Sequence, residues 1–470
     1  MDKNEIGKGA LKAGLLYTIS AFLLKGFSFI TTPIFSRMMS KADYGEFNNF
    51  SSWVGIVSVV ITLNLVSTLI SARYDYKETF DEYIFSVEVL GTLSCLAAWG
   101  LVHILSDYFV GFFSMEKRYI DALFVYILLF QFVVFFQAKE RFLFHYKSSV
   151  AVGMSVTITA GVLSIILIKN MDDKLAARIY GFIIPTIVAG IVLIIYFAIK
   201  GKRIRIRYWR YAIPISLPYI PHGLSLILLN SMDRTMIKKY CGAESTATYS
   251  IAYTTGAIIS ILMDAVNSSY APWLAKKLDG KEYNDIKKFS YIYAGAFMFI
   301  LVGLMLMAPE IMYVLGGTKY KDAIYLIPPI MLGCGYQLFY TMYVNVEQFC
   351  KKTVGMAFAS VIAAALNYVL NYICIHKFGY EAAAYTTLAS YIVLTLLHMF
   401  IVQKNGFGRL YSKLMILMCI VSGCVLGGLC IILYHYILLR FCFIGVYFIS
   451  LIVLLIANKT KIKMYLKRRK

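Results

Sequence analysis

Long apolar stretches, separated by short polar ones, make up almost the whole chain. Fourteen of them are each about 17 to 25 residues long, and about 20 residues of helix span the hydrocarbon core of a bilayer. The pattern predicts an all-α polytopic membrane protein with about 14 transmembrane helices. The predicted spans lie near residues 13–36, 47–70, 83–105, 119–137, 148–168, 180–199, 212–232, 248–271, 291–308, 323–345, 353–375, 382–402, 413–434 and 441–457.

The composition leaves little room for a soluble domain. The 470 residues are 60% hydrophobic and 15% charged, whereas soluble domains carry about 25% charged residues. No segment between the spans is long enough to bury a core of its own. The first apolar stretch contains Lys25 and lacks a clear small-residue cleavage site, so we expect a retained helix rather than a signal peptide.

The net charge of +21 is distributed as in a membrane protein. With the N-terminus in the cytoplasm, about two thirds of the Lys and Arg residues fall on cytoplasmic segments, as the positive-inside rule requires. Both termini are therefore predicted to be cytoplasmic. We expect the densest basic clusters, at residues 200–207 and 459–470, to meet anionic lipid head groups rather than nucleic acid.

A basic loop at residues 200–211 divides the first twelve spans into two sets of six. We predict an N-terminal six-helix lobe at residues 1–205, a C-terminal six-helix lobe at 206–404, and two additional helices with a basic tail at 405–470. Each set has an even number of spans, so both lobes start on the same membrane face and any repeat is parallel.

Spans one and seven are the irregular ones. Span one contains Gly26 and Pro33, and span seven contains Pro214, Pro218 and Pro221. Proline removes a backbone donor and kinks a helix. Broken helices at matching positions of two repeats point to a central transport site, although kinks that only help packing explain them equally well.

Three segments resemble the flippase superfamily that includes polysaccharide exporters, lipid II flippases and multidrug exporters. They are residues 233–253 (DRTMIKKYCGA, then YSIAY), residues 316–328 (GGTKY, then Ala and Pro) and residues 367–384 (NYVLN, then FGYEAAA). The chain is most similar to the Wzx-type branch, and the similarity extends over its whole length. Ala247 and Glu381 replace glycines that are common in the family, which leaves the local turn geometry open.

The resemblance implies two six-helix lobes around a central cavity that opens alternately to either side. It also implies translocation of undecaprenyl-diphosphate-linked oligosaccharide repeat units across the bacterial plasma membrane, for a surface polysaccharide such as O-antigen or capsule. The expected partners are the lipid-linked oligosaccharide, the bilayer, and a polysaccharide polymerase with other assembly proteins. Nucleic acid is not among them.

The candidate substrate-binding residues are polar side chains within or beside the spans. Lys25 lies near the middle of span one, where an unpaired charge costs about 2.5–3.5 kcal/mol, so it should face a wet cavity or an acidic partner. Arg37 and Arg234 end spans one and seven and suit a diphosphate. Alternatively they anchor the helices at the interface, or Arg234 pairs with Asp233 within the chain. Asn64 and Asn230 suit sugar hydroxyls, or bond neighbouring helices together.

Three acidic residues within spans are candidates for ion coupling: Glu88, Asp264 and Glu347. A carboxyl in apolar surroundings can bind and release a proton, or it can neutralise Lys25. We expect no cofactor and no metal site, because the chain has no C-x-x-C pair and no cluster of metal ligands.

Three alternative functions remain open at this stage. A multidrug or small-molecule exporter would share the fold, but its cationic substrates favour acidic cavities. A membrane enzyme needs catalytic loops outside the bilayer, and we find no nucleophile with a neighbouring base, so we do not expect an enzyme. A non-transporting scaffold of a polysaccharide assembly complex is compatible with the sequence.

Overall fold

The structure is a computed structural model that describes residues 26–457 apart from 28, 144, 351 and 352. Every regular element in these ranges is helical. The helices are α1 (29–38), α2 (Lys41–Ile61), α3 (Leu69–Asp75), α4 (Phe80–Ile104), α5 (Ser106–Phe113), α6 (Lys117–Phe142), α7 (Tyr146–Asn170), α8 (Lys174–Gly201), α9 (Ile206–Ser216), α10 (Tyr219–Cys241), α11 (Ala243–Asp279), α12 (Tyr283–Leu306), α13 (Ala308–Gly316), α14 (Ile327–Phe349), α15 (Thr353–Phe378), α16 (Ala382–Val402), α17 (Lys413–Leu433) and α18 (Ile437–Ala457). Short turns of other helix types occupy Leu65–Thr68, Lys77–Thr79, Gly317–Leu326 and Gln403–Phe407.

Ten helical segments of the described chain are long and apolar enough to cross a membrane, or twelve if two bent pairs each count as one span. The bent pairs are α2 with residues 65–75, and α9 with α10. α18 is apolar but shorter, over Ile437–Val453, and most of the first predicted span lies outside the described residues. The all-helical polytopic fold is confirmed, whereas the count of 14 stays a prediction.

Both bends have a local cause. After α2, Leu63 and Asn64 adopt left-handed φ angles of 53° and 46°, which non-glycine residues rarely do, and the chain turns by 53°. Between α9 and α10 the chain turns by 52° at Leu217 and Pro218, where the proline ring cannot continue the hydrogen-bond ladder. The predicted interruption of span seven is confirmed, whereas the break after α2 was not predicted.

Alternating helix directions give the bundle two ends. We call the end that carries the turns between α1 and α2, α10 and α11, and α12 and α14 the first face. The opposite end, with the turns around residues 62–79, 202–218, 280–282 and 403–412, is the second face. Contacts between these turns support the grouping: Tyr208 and Tyr211 of α9, for example, donate to Thr79 and Asp75 at the second face.

The hydrophobic core follows the two halves of the sequence. Two clusters of buried side chains are built from α2 to α9. The third and largest is built mainly from α10 to α17, and it also includes Phe35, Met39 and Tyr44 from α1 and α2. The first two helices therefore pack against both halves, which places the boundary between the halves along α1, α2, α10 and α11.

The last two helices attach to the outside of the second half. Arg440 at the start of α18 makes two hydrogen bonds to the Glu310 carboxylate of α13, at 2.7 and 2.6 Å. Tyr336 of α14 donates to the Ile420 carbonyl of α17 at 2.8 Å. Many side chains of both helices are exposed and apolar, as expected for a surface in contact with lipid. The domain boundaries at residues 205 and 404 remain predictions.

Candidate functional site

Arg178 is a charged side chain in the interior of the first half. It lies in the second turn of α8, whose start is capped by the Asp173 side chain. Its guanidinium lies 3.9 Å from the ring centre of Phe35 and 4.0 Å from that of Phe47, and it donates to Ser164 Oγ at 2.7 Å. A desolvated cation on an aromatic face gains about 2 kcal/mol. These contacts fix Arg178 against α1, α2 and α7.

Arg234 is its counterpart in the second half. The guanidinium lies 4.4 Å from the ring centre of Tyr253 and donates to the Asn230 carbonyl at 3.2 Å. The Asn230 side chain accepts from the hydroxyls of Tyr253 and Tyr391, at 3.1 and 3.0 Å. Asn230 thus joins α10, α11 and α16, as the helix-packing alternative expects.

Both arginines lie close to α2. Arg178 stacks on Phe47 of that helix, and Lys238, one turn after Arg234 on α10, pairs with Glu46 of the same helix. Both arginines are only partly buried, and neither makes an ion pair within the part of the chain that the structure describes. One cation from each half therefore lies beside α2, near the boundary between the halves.

A second polar cluster surrounds Asp233, which is 1% exposed. Its carboxylate accepts from Tyr249 at 2.6 Å, Asn371 at 2.6 Å and Thr387 at 2.7 Å. Asn371 also donates to the Asn367 side chain at 3.1 Å. These residues come from α10, α11, α15 and α16, so one carboxylate organises four helices.

The chemistry of this cluster follows from its charge. The three side chains that donate to Asp233 are neutral, although the neighbouring Arg234 adds a weaker electrostatic attraction. A buried carboxylate is costly unless its charge is balanced. Either a proton or a small cation held by the surrounding carboxylate, amide and hydroxyl oxygens would balance it.

The two halves are joined at the first face. Arg37 donates to the carbonyls of Tyr313 and Val314 in α13, at 3.2 and 3.0 Å. Lys238 of α10 forms an ion pair with Glu46 of α2. Arg37 therefore caps the end of a helix in the second half, and the prediction that it binds a diphosphate stays untested.

Backbones also meet here. A Cβ added at Gly45 of α2 would lie 2.6 Å from the carbonyl carbon of Ala243 and 3.1 Å from its Cα. Ordinary carbon–carbon contacts lie at about 3.5–4.0 Å. Only glycine allows the first turns of α2 to approach the start of α11 this closely, so this contact closes the first face.

Glu347 and His398 form a buried pair in the second half. His398 Nδ1 lies 2.9 Å from Glu347 Oε1, and both side chains are 1% exposed. The second carboxylate oxygen and His398 Nε2 are buried, and neither has a hydrogen-bond partner among the described residues. Glu88 of α4 is 0% exposed, and within the same residues neither of its oxygens has a partner. Two of the three predicted ion-coupling carboxyls are therefore fully buried.

The remaining predicted residues lie in different surroundings. Asp264 is exposed, midway along α11. Asn64 lines a cavity of about 150 Å³ between α2 and α6, together with Ser58, Thr62 and Gln131. Its side-chain nitrogen would be 3.8 Å from a Cβ at Gly223 of α10, so Asn64 also lies at the boundary between the halves. Lys25 lies outside the described residues.

Sequence reasoning missed three residues. Arg178 lies just before the predicted span at residues 180–199, although Asp173 is an N-cap signal and α8 begins at Lys174. His398 is a titratable residue within an apolar span, about one turn before its end, a signal that could have been read. Asp233 had been considered only as a partner of Arg234, but its carboxylate bonds to other helices while Arg234 lies on an aromatic ring.

The bundle of apolar helices with buried charges at the boundary between its halves defines a polytopic membrane protein of the transporter type. Residues 10–278 match the family described as "Polysaccharide biosynthesis protein". This match covers more than half of the chain, and the chain belongs to that family. The superfamily resemblance seen in the sequence motifs is confirmed.

A curated relative supports the same assignment. The chain is 25% identical over 174 residues to a "Probable low-salt glycan biosynthesis flippase Agl15" of Haloferax volcanii. The alignment spans 36% of this chain and 36% of that protein, so it covers about a third of the relative's length.

Solved structures share the fold. A lipid II flippase, MurJ, in an inward closed conformation superposes with a TM-score of 0.71 at 15% identity, over 95% of this chain and all of that one. An inward-facing multidrug resistance transporter of the MATE family gives 0.58 at 14% identity, over 83% and 95%. A Vibrio cholerae MATE transporter mutant gives 0.53 at 15% identity, over 86% and 99%. At these identities the likeness concerns the fold alone.

Proposed function

We propose that this protein is a flippase that moves undecaprenyl-diphosphate-linked oligosaccharide repeat units across the bacterial plasma membrane for surface polysaccharide synthesis. Family membership and the similarity to a glycan biosynthesis flippase support the proposal. The observation that carries it is the position of two partly buried arginines, Arg178 and Arg234, one from each half, beside α2.

The two arginines fit the diphosphate of such a substrate. A guanidinium offers a planar pair of donors that matches phosphate oxygens. Here both cations rest on aromatic rings, and a cation–π contact is weak enough, at about 2 kcal/mol, to be exchanged for a charged hydrogen bond. Lys25 and Asn64 remain proposed contacts to diphosphate and sugar.

Alternating access gives the closed first face a role. The contacts of Arg37, Lys238 and Gly45 hold the halves together at that end. In our proposal the first face is external, the second face and both termini are cytoplasmic, and substrate enters from the cytoplasmic leaflet. Separation of the first-face contacts then releases the glycan outside.

Reconstitution tests the proposal. Liposomes containing the purified protein and a fluorescent diphosphate-linked glycolipid should lose probe from the inner leaflet, measured by quenching from outside. Arg178→Gln and Arg234→Gln should each slow translocation by about tenfold or more, which corresponds to an activation free energy higher by about 1.4 kcal/mol. Lysine at either position should restore part of the translocation rate. Arg118→Gln is the matched control, since Arg118 is exposed at the first face.

Two outcomes contradict the proposal. Wild-type protein that translocates no glycolipid would favour the scaffold alternative. Normal translocation by both glutamine variants would remove the arginines from the substrate path.

Ion coupling is a separate part of the proposal. We propose proton binding at Glu88 and Glu347, because each has at least one buried oxygen without a partner in the described part of the chain. We further propose cation or proton binding at Asp233 and Asp264. With an imposed pH gradient, Glu88→Gln and Glu347→Gln should abolish the gradient's effect on translocation. Glu116→Gln, at an exposed first-face position, should leave it intact, and an unchanged response in both buried variants would exclude proton coupling there.

The multidrug-exporter alternative draws support from the shared fold. Cations at the boundary between the halves disfavour cationic drugs, because like charges repel in a low dielectric. Liposomes that transport a cationic dye but no glycolipid would decide for this alternative.

A further inference from the structure

A basic pocket opens at the second face, between the turn that joins α11 to α12 and the residues that precede α17. It has a volume of about 530 Å³, which falls within the usual range of ligand sites. Its lining includes four cationic side chains together with the polar groups of Asn284 and Ser412. The four cations are Lys281, Lys287, Arg409 and Lys413.

These cations differ from others on the same face. Lys277, one turn before the pocket, is paired with Glu282 and Asp285, and Arg205 is paired with Glu82. The pocket lining contains no Asp or Glu side chain. Four positive charges around one hollow repel each other, and an anion in the hollow would remove that repulsion.

The start of α17 adds to the positive potential. Ser412 is its N-cap and accepts from the Met415 amide, so Lys413 opens the helix at the edge of the pocket. The first amides of a helix are free to donate, and the helix dipole favours an anion there. Cations and helix terminus therefore favour the same ligand charge.

An apolar surface begins directly beside the pocket. Leu414, Leu417, Met418 and Val421 of α17 are 65%, 41%, 53% and 62% exposed, and their spacing places them on one side of the helix. In a membrane this stripe faces acyl chains. A ligand with a charged head at the pocket and apolar tails along α17 would satisfy both surfaces.

We propose that this pocket binds the phosphate head group of an anionic lipid at the second face, with the acyl chains along α17. The number of cations suits a head group with two phosphates better than one with a single phosphate. The proposal does not depend on the flippase function, because anionic phospholipids are constituents of the membrane itself and not transported substrate.

Native mass spectrometry of the purified protein tests it. The probes are diphosphatidylglycerol, phosphatidylglycerol and phosphatidylcholine added to detergent micelles, and inorganic diphosphate added alone. A variant with all four pocket cations changed to glutamine is compared with a control in which four exposed cations elsewhere on the same face, Lys77, Arg141, Lys147 and Arg210, are changed in the same way. The control removes the same charge but no pocket.

The pocket variant should bind diphosphatidylglycerol at least about tenfold more weakly than wild type, since each cation near a membrane surface contributes measurably, whereas the control should change little. If inorganic diphosphate also binds wild type and is lost in the pocket variant, the site recognises the phosphate groups without needing the acyl chains. If the fourfold variant fails to fold, the double variant Lys281→Gln with Arg409→Gln replaces it. The double variant should lose less affinity for diphosphatidylglycerol than the fourfold variant, but more than the control. Equal binding by both variants, or no preference for anionic lipid in wild type, would overturn the proposal.

Discussion

Gly45 offers the sharpest test of how the two halves meet at the first face. A methyl group there would lie 2.6 Å from the Ala243 carbonyl carbon, about 1 Å inside ordinary contact. Overpacking of this kind costs about 1–3 kcal/mol, and the partner is backbone, which cannot rotate away. A difference of about 1.4 kcal/mol changes an equilibrium constant tenfold. Gly45→Ala should therefore lower the ratio of closed to open molecules at the first face by roughly 5- to 150-fold.

The same helix supplies a matched control. A Cβ at Gly55 of α2 would lie 3.6 Å from Ile227 of α10, which is normal contact. Gly55→Ala should therefore leave the arrangement unchanged, and it should stabilise α2 by about 0.5–1 kcal/mol through the lower entropy of alanine.

Distance measurements between spin labels separate the two variants. The labels are placed at Asp107 of α5 and at Asp322, which are exposed first-face positions of the first and second halves. Each is changed to cysteine for labelling, in a protein from which the nine native cysteines have been removed. Gly45→Ala should add a longer-distance population that wild type and Gly55→Ala lack. Identical distributions in all three proteins would refute the assignment of Gly45 to the closing contact.

Three further sets of variants test buried polar groups. Asp233→Ala leaves donors on three helices without their acceptor, so the free energy of unfolding in detergent should fall by about 1–3 kcal/mol; wild-type stability would contradict the network. Glu310→Leu leaves Arg440 buried without its carboxylate and should cost about 3 kcal/mol, seen as faster proteolytic release of α18, whereas adding Arg440→Leu should recover most of it. His398→Ala should cost about 1–3 kcal/mol in thermal unfolding, because Glu347 loses its partner, and Glu347→Gln should cost less since the amide still bonds; the reverse order would contradict the pairing.

Local properties of the sequence determined the secondary structure and the class of protein. At the rise of an α-helix, each apolar stretch has enough residues to cross a bilayer. The stretches that the structure describes are helical. The proline group at residues 214–221 predicted a break that the bend between α9 and α10 confirms. The motifs at residues 233–253 and 367–384 predicted the superfamily, which the family match bears out.

Tertiary structure alone decided which polar groups meet. Asp233 bonds to Asn371 and Thr387, which are 138 and 154 positions away, and Arg178 lies on Phe35 and Phe47. In a soluble protein the apolar face of a helix indicates its buried side. In a membrane, lipid and protein interior are equally apolar, so hydrophobicity does not reveal which face of each helix packs inward. The composition of the buried clusters and of the basic pocket therefore depends on helix rotation and packing, which the pattern of residues along one helix does not encode.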